Sequence, residues 1–573
     1  METIQQPYLK SLGPRGYIQG CTILSKSSNA PLCRYFGGLR YALPPSERWR
    51  KAQKLPARYS YGTKDRPFQC PGATNSCPQA TFLESPVSEA AHEDCFQCNI
   101  WVPLGEPPAN GTYQFSSRLL SSQSILSFSI GWPVLVFIHG GFLQFGTPNS
   151  FSAAALLGET DFGAIIVMPA YRLNALGFLY SSELEQDAAS VGETAGNHGF
   201  WDQRMALEWT KENIGLFGGN GSQLTLAGYS AGAYSVCYQL AYDLTLPESQ
   251  SLVRRACIWS NSFTVQPKSP TLAQTQFNQL LSALNISISL SPAEKLSRLR
   301  STPSSTLLSA AASIDLHEFR PTTDNAFIPN NLFHTLDNGT FASTLLARNI
   351  HIITGECRDE HFLYGTWRPP VKNTLGSLRA RLLADYPRPV VDALMRIYYP
   401  NGTLPADCKD WSSDAFGRIY ADMQVHRMQR GFIYALTNPI RPREPNLGER
   451  VSKLIHRYRM EYRLKCADVS TPPGWGVTHA TDQYIWFWGN GQIVLPEEKK
   501  IIRNAVIDPF IKFVRGEQEL GWGASNHREM RTLKPDGTVE IWRDGLWDEA
   551  VRTWRALREV ADFAGVQNGG ARL

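Results

Sequence analysis

Long apolar runs are missing from this chain of 573 residues: no stretch approaches eighteen uninterrupted apolar residues, which excludes a membrane-spanning helix. An excess of one charge is missing too. Lys plus Arg number 56 against 51 Asp plus Glu, a net +5 spread thinly, so neither nucleic acid nor an acidic membrane is an expected partner. Cysteine is scarce, with 11 in all, an odd number that does not suggest a disulfide scaffold. The first residues, METIQQPYLKSLGPRGY, lack the apolar core of a secretory signal, so the expected address is intracellular and cytoplasmic. The final Ala571-Arg572-Leu573 varies the Ser-Lys-Leu peroxisomal signal and makes the peroxisome the alternative. Without an export signal, the sequons at Asn110, Asn220, Asn285, Asn338 and Asn401 read as chance. Internal repeats, heptads and low-complexity tracts are also absent.

What is present is core-forming material. The chain is 43% hydrophobic, with 15 Trp, 27 Phe and 22 Tyr, enough apolar surface to offset the entropy of ordering. Four apolar runs of strand length each end in a turn signal: 134–138 (VLVFI), 165–168 (IIVM), 223–227 (QLTLA) and 350–354 (IHIIT). Unbroken apolar strands alternating with helical periodicity predict a mostly parallel sheet covered on both faces, the α/β class. Segments at about 265–345 and 375–470 read as helical, with Pro and Ser breaks. They are expected to be lid-like insertions within one catalytic domain spanning 1–573. The polar stretch 104–130 reads as an exposed loop. In such sheets ligands sit beyond the carboxyl ends of the strands, so chemistry is sought there.

The strongest motif is Gly228-Tyr229-Ser230-Ala231-Gly232, which follows QLTLA and precedes the helix-compatible AYSVCYQLAY. This is the setting of a nucleophile elbow: a serine on a tight strand-to-helix turn, flanked by glycines because side chains there would collide with neighbouring elements. Upstream by 91 residues, His139-Gly140-Gly141-Phe142 ends another buried strand. Consecutive glycines let the backbone aim N–H groups at one point, as an oxyanion hole requires, and the order matches that of α/β-hydrolases. Gly141 and Phe142 are the expected donors, with the N–H of Ala231.

The partners should follow in the order acid, then histidine. Among His317, His334, His351, His361, His426, His456, His479 and His527, His479 stands out. It lies in the small-residue loop Gly474-Trp475-Gly476-Val477-Thr478-His479-Ala480, before an aromatic run at 484–488. For the acid, strand 350–354 leads into Gly355-Glu356-Cys357-Arg358-Asp359-Glu360, where three carboxylates compete and spacing does not choose. Trp475, Trp486 and Trp488 could line a gorge or pack in the core. Cys95-Phe96-Gln97-Cys98 stands without a second pair or a spaced histidine, so no metal site is expected. Gly218-Gly219-Asn220-Gly221 lacks the Lys-Ser/Thr of a phosphate loop.

The chain resembles the type-B carboxylesterases, the cholinesterase-like branch of the α/β-hydrolases, and its fungal-type members. The residues that carry the likeness run along nearly all of it: Arg40-Tyr41-Ala42-Leu43-Pro44-Pro45, Arg48-Trp49, Glu93-Asp94-Cys95, Ala170-Tyr171-Arg172-Leu173, Asp202-Gln203 and Phe217-Gly218-Gly219. The resemblance implies an α/β-hydrolase fold and a Ser-Glu-His triad, places the acid at Glu360 and the base at His479, and leaves Glu356 and Asp359 in structural roles. It also implies ion pairs Arg48–Glu93 and Arg172–Asp202, and matches Cys77 and Cys95 to the family's first disulfide, with two free thiols as the alternative in a reducing compartment. Two departures stand at the site. Tyr229 replaces the family's usual Glu, and Phe142 its usual third Gly. With no Trp between Cys77 and Cys95 either, a choline ester is an unexpected substrate. The expected activity is hydrolysis of a hydrophobic organic ester or lactone through an acyl-Ser230 intermediate, without cofactor or metal. Two alternatives are an acyltransferase or lactone-forming enzyme using the same acyl-enzyme, and a non-catalytic interaction domain.

Overall fold

The computed structural model describes residues 2–79, 91–107, 131–263, 267–440 and 444–568, with side chains through 561. Asn110, the tail at 571–573 and most of the 104–130 stretch lie outside the described residues. The fold is α/β, built on a 13-stranded mixed sheet. Its strands are β1 (Thr3–Ser11), β2 (Tyr17–Ser25), β3 (Pro31–Arg40), β4 (Gln97–Val102), β5 (Trp132–Ile138), β6 (Ile165–Pro169), β7 (Gly219–Tyr229), β8 (Arg255–Trp259), β9 (His351–Cys357), β10 (Ile455–Met460), β11 (Glu529–Leu533) and β12 (Val539–Arg543). They lie side by side as β1-β2-β3-β4-β6-β5-β7-β8-β9-β10-β11-β12, with the short strand Phe68–Gln69 beside β2. From β6 to β11 every neighbouring pair is parallel, while the outer pairs are antiparallel.

The four apolar runs occupy β5, β6, β7 and β9. They are unbroken because both faces are covered. In β5, Val134, Val136 and Ile138 enter the core on one face, and Leu135 and Phe137 enter the core on the other. The chain passes from β5 to β6 on one side, then returns past β5 to β7 on the other. That reversal opens a crevice at the carboxyl ends of β5 and β7, the place where such sheets bind ligands. Both motif turns leave from there, since Ile138 pairs with Gly228.

Helices follow β8 at Pro270–Ala283, Pro292–Ser301, Ser304–Ser313, Leu332–Asp337 and Thr340–Ala347. Their starts are written locally. Ser291 accepts the Glu294 N–H, the Glu294 carboxylate accepts the Ser291 N–H, and Pro292 occupies the first turn. Between β9 and β10 lie Leu375–Leu383, Arg388–Tyr398, Phe416–Ala421, Arg427–Thr437 and Leu447–Ser452. The helical reading of 375–470 therefore fails at its end, where Ile455–Met460 joins the sheet as β10. Its sequence, IHRYRM, hides a central strand because its charges are paired at long range: Arg457 binds Asp544 at 2.7 Å, and Arg459 binds Glu356. Among the described residues, no helix is long and apolar enough to cross a membrane.

Candidate active site

Ser230 stands between β7 and the helix Ala231–Thr245 with φ 56° and ψ −125°. A non-glycine residue there is strained, and the surroundings hold it. A Cβ on Gly232 would stand 1.9 Å from the carbonyl oxygen of Ile138, so the helix touches the end of β5 and only glycine fits. A Cβ on Gly140 would likewise stand 2.9 Å from the Cβ of Ser230, so the glycine loop rests on the nucleophile.

The structure brings Ser230, His479 and Glu360 into one line. The Ser230 hydroxyl donates to His479 Nε2 at 2.8 Å, and His479 Nδ1–H donates to Glu360 Oε2 at 2.5 Å. The second Glu360 oxygen accepts the Cys357 N–H at 2.8 Å. All three are buried, Ser230 at 5% exposure, His479 at 2% and Glu360 at 0%. In this dry setting the chain of hydrogen bonds is stronger than it would be in water.

The competing carboxylates are drawn elsewhere. Glu356 receives His426 Nδ1–H at 2.7 Å and Arg430 Nη1 at 2.7 Å. Burial alone would raise its pKa, but the charges of Arg430, His426 and Arg459 hold it well below the usual carboxylate range. Asp359 braces the histidine loop, its backbone N–H donating to the Val477 carbonyl and its carboxylate accepting the Val477 N–H, each at 2.9 Å.

The turn after β5 carries three consecutive left-handed residues: Gly141 (φ 106°), Phe142 (57°) and Leu143 (64°). The Phe142 ring stacks on Trp367 at 4.6 Å and 7° and meets Tyr364 edge-on at 5.7 Å. The Tyr364 ring in turn lies 4.4 Å from His479, on the imidazole side of an aromatic wall. Tyr229 packs on the imidazole as well, at 5.0 Å. A glutamate beside the nucleophile is thus replaced by a ring with a buried hydroxyl.

Trp486 and Trp488 are core residues, Trp486 stacked on Trp259 at 4.6 Å. Core packing thus answers the gorge reading for these two, while Trp475 is half-buried. Cys95 is bonded to Cys77, and Cys98 is buried. Both ion pairs are present, Arg48 Nε to Glu93 at 2.8 Å and Arg172 Nη2 to Asp202 at 2.7 Å.

Sequence reasoning passed over three residues. Tyr364 is four positions past Glu360. Asp482, three past His479, accepts from the Tyr458 hydroxyl at 3.1 Å and Trp486 Nε1 at 3.2 Å. Burial and the negative charge of Glu360 push the Asp482 carboxyl up to about 6. Spacing from the triad residues was the available signal for these two. Arg320, which reaches the Phe142 carbonyl, had no local signal.

The sheet order and the elbow define an α/β-hydrolase. The crystal structure of Aspergillus niger EstA superposes over 97% of this chain and 99% of its own, with TM-score 0.69 at 20% identity. A sequence model of the carboxylesterase family matches residues 9–545, and the chain belongs to that family. It is 41% identical over 560 residues to a carboxylic ester hydrolase from Gibberella moniliformis, covering 96% of each chain. It is 34% identical over 571 residues to an uncharacterized esterase/lipase from Schizosaccharomyces pombe, covering 97% of each.

Proposed function

We propose that this chain hydrolyses a hydrophobic carboxylic ester in two acyl-transfer steps on Ser230. The observation that carries the reading is the unbroken line from Ser230 Oγ through His479 to Glu360 Oε2. His479 Nε2 takes the Ser230 proton as the oxygen attacks the ester carbonyl. Glu360 keeps the imidazole in the tautomer protonated at Nδ1 and stabilises the imidazolium that forms. The N–H groups of Gly141, Phe142 and Ala231 receive the oxyanion, and losing one such donor costs about 2.7–4 kcal/mol of transition-state stabilisation. His479 then protonates the leaving alcohol, and water, activated by the same imidazole, cleaves the acyl-serine. These residues supply nucleophile, base and oxyanion stabilisation, so the scheme calls for neither cofactor nor metal.

A single assay tests this reading. Chromogenic esters from acetate to decanoate are offered to wild type and Ser230→Ala, with and without an added acceptor alcohol. The serine variant is expected to lose about 10⁴–10⁶ in rate, and a variant as active as wild type rejects the reading. Acid as the sole acyl product supports hydrolysis, whereas a transferred ester assigns the acyl-enzyme to a transferase.

The cytoplasmic address, with the peroxisome as alternative, belongs to the same proposal. The Cys77–Cys95 bond is a feature of oxidising compartments, so fractionation with thiol labelling is the corresponding test.

A further inference from the structure

Two bulky residues sit in left-handed backbone beside the nucleophile, and carbonyl anchoring accounts for them. Phe142 and Leu143 would relax from this region if free, since their Cβ atoms crowd the following carbonyl. The Gly141 carbonyl accepts the N–H groups of Gln144 at 2.8 Å and Phe145 at 3.0 Å, and the Leu143 carbonyl accepts that of Asn174 at 2.8 Å. The Phe142 carbonyl is held by side chains, Arg320 Nη1 at 2.5 Å and Gln144 Nε2 at 3.3 Å.

Arg320 is fixed at every corner of its fork. Its Nε donates to Asp385 Oδ1 at 2.9 Å, and its Nη2 donates to the Tyr420 hydroxyl at 2.7 Å. That hydroxyl donates to Asp385 Oδ2 at 2.9 Å, and Arg381 Nη1 reaches the same oxygen at 2.9 Å. Gln144 is gripped from the same side, donating to the Phe319 carbonyl at 2.7 Å. Arg320, Asp385 and Tyr420 all belong to the segments inserted between β8 and β10.

We propose that Arg320 is a positioning residue for the reaction, its guanidinium locking the peptide that follows Phe142 so that the Phe142 N–H stays turned toward the reacting carbonyl. The inference rests on the oxyanion assignment made above. With the carbonyls of Gly141 and Phe142 both tied, the peptides on either side of Phe142 cannot rotate. Phe142 then performs a task that a glycine with equal freedom would perform less rigidly. The inserted segments thereby brace the hole as well as cover the site.

The test compares Arg320→Ala and Arg320→Lys with wild type, each rate normalised to sites titrated with a fluorophosphonate. Arg320→Lys keeps a positive charge beside Asp385 should the alanine variant fail to fold. The expected result is a kcat lower by about 10–100-fold with KM within about threefold, as for a misplaced catalytic group. A trifluoromethyl ketone, which forms an oxyanion adduct with the serine, should weaken by the same factor as kcat/KM, while the plain methyl ketone should not weaken. Leu394→Ala, in a buried position of the helix Arg388–Tyr398, reads the effect of destabilising an insertion alone and should keep kcat per titrated site. A kcat per titrated site within twofold of wild type, or equal weakening of both ketones, overturns the proposal. Ser230→Ala, its rate taken per mole of folded protein because it has no serine to titrate, judges the serine reading separately. Should that variant stay active, the esterase reading falls whatever Arg320 does.

Discussion

Two turns meet at the reaction centre, and they hold their strain differently. The elbow after β7 has one strained residue, Ser230, and its brace is steric: glycines let the turn close on itself, Gly228 against the Gly232 carbonyl, and let the following helix close on the Ile138 carbonyl, 94 positions away. The turn after β5 has three left-handed residues in a row, two of them bulky. Besides the N–H bonds of Gln144 and Phe145 to the Gly141 carbonyl, its brace comes from Phe319 and Arg320, 175 and 178 positions away from the residues they hold. A steric brace demands glycine at fixed places and so is written in a five-residue motif, whereas side-chain hydrogen bonds from distant segments leave no local trace.

The largest effect should come from breaking the steric brace. Gly232→Ala drives a Cβ into the end of β5, and should cost about 3 kcal/mol of stability and more than 10²-fold in kcat, read by chemical denaturation and steady-state rates. The distant brace should yield more gently. Gln144→Leu leaves the Phe319 carbonyl without its 2.7 Å donor and should cost about 1–3 kcal/mol, with kcat lower by roughly tenfold. If Gln144→Leu proves as damaging as Gly232→Ala, the contrast between the two turns is wrong.

Asp482 sharpens the comparison from behind the histidine. Its folded pKa near 6 lies above the ordinary 3.8, so the folded state binds the extra proton between those values. Stability then falls as pH rises through that window, by roughly 3 kcal/mol in all. Asp482→Asn keeps an acceptor for Tyr458 and Trp486, and should melt higher than wild type at pH 8 and equally at pH 4. An equal gain at both pH values would reject burial of the charge as its cause.

The smallest catalytic effect is expected at the outer end of the oxyanion loop. Gln79, two residues from Cys77, accepts the Gly146 N–H at 2.7 Å and so holds the outer end of the oxyanion loop. Replacing Cys77 and Cys95 together by serine should cost about 2–4 kcal/mol, while kcat changes by less than about threefold.

Legibility in the sequence followed the range of the forces. Strands β5, β6, β7 and β9 were readable because both faces demand apolar side chains. β10 was not, because the charges of Arg457 and Arg459 are neutralised by Asp544 and Glu356, 87 and 103 residues away. Ser230 and the glycine turn were legible because their steric needs place glycines at fixed positions in short motifs. Glu356, Asp359 and Glu360 were not separable by spacing. Each of the three is claimed by a different partner: Arg430 with His426, the Val477 N–H, and His479.

The sequence by itself determined the α/β layering, the elbow, the glycine turn and the preference for His479, since periodicity and backbone sterics are local properties of the chain. Only the tertiary structure decided which carboxylate meets the imidazole, how Phe142 is held where a glycine is usual, and which aromatics wall the site. Those outcomes depend on hydrogen bonds and ring contacts between residues roughly a hundred or more positions apart, and such contacts exist only once the chain has folded.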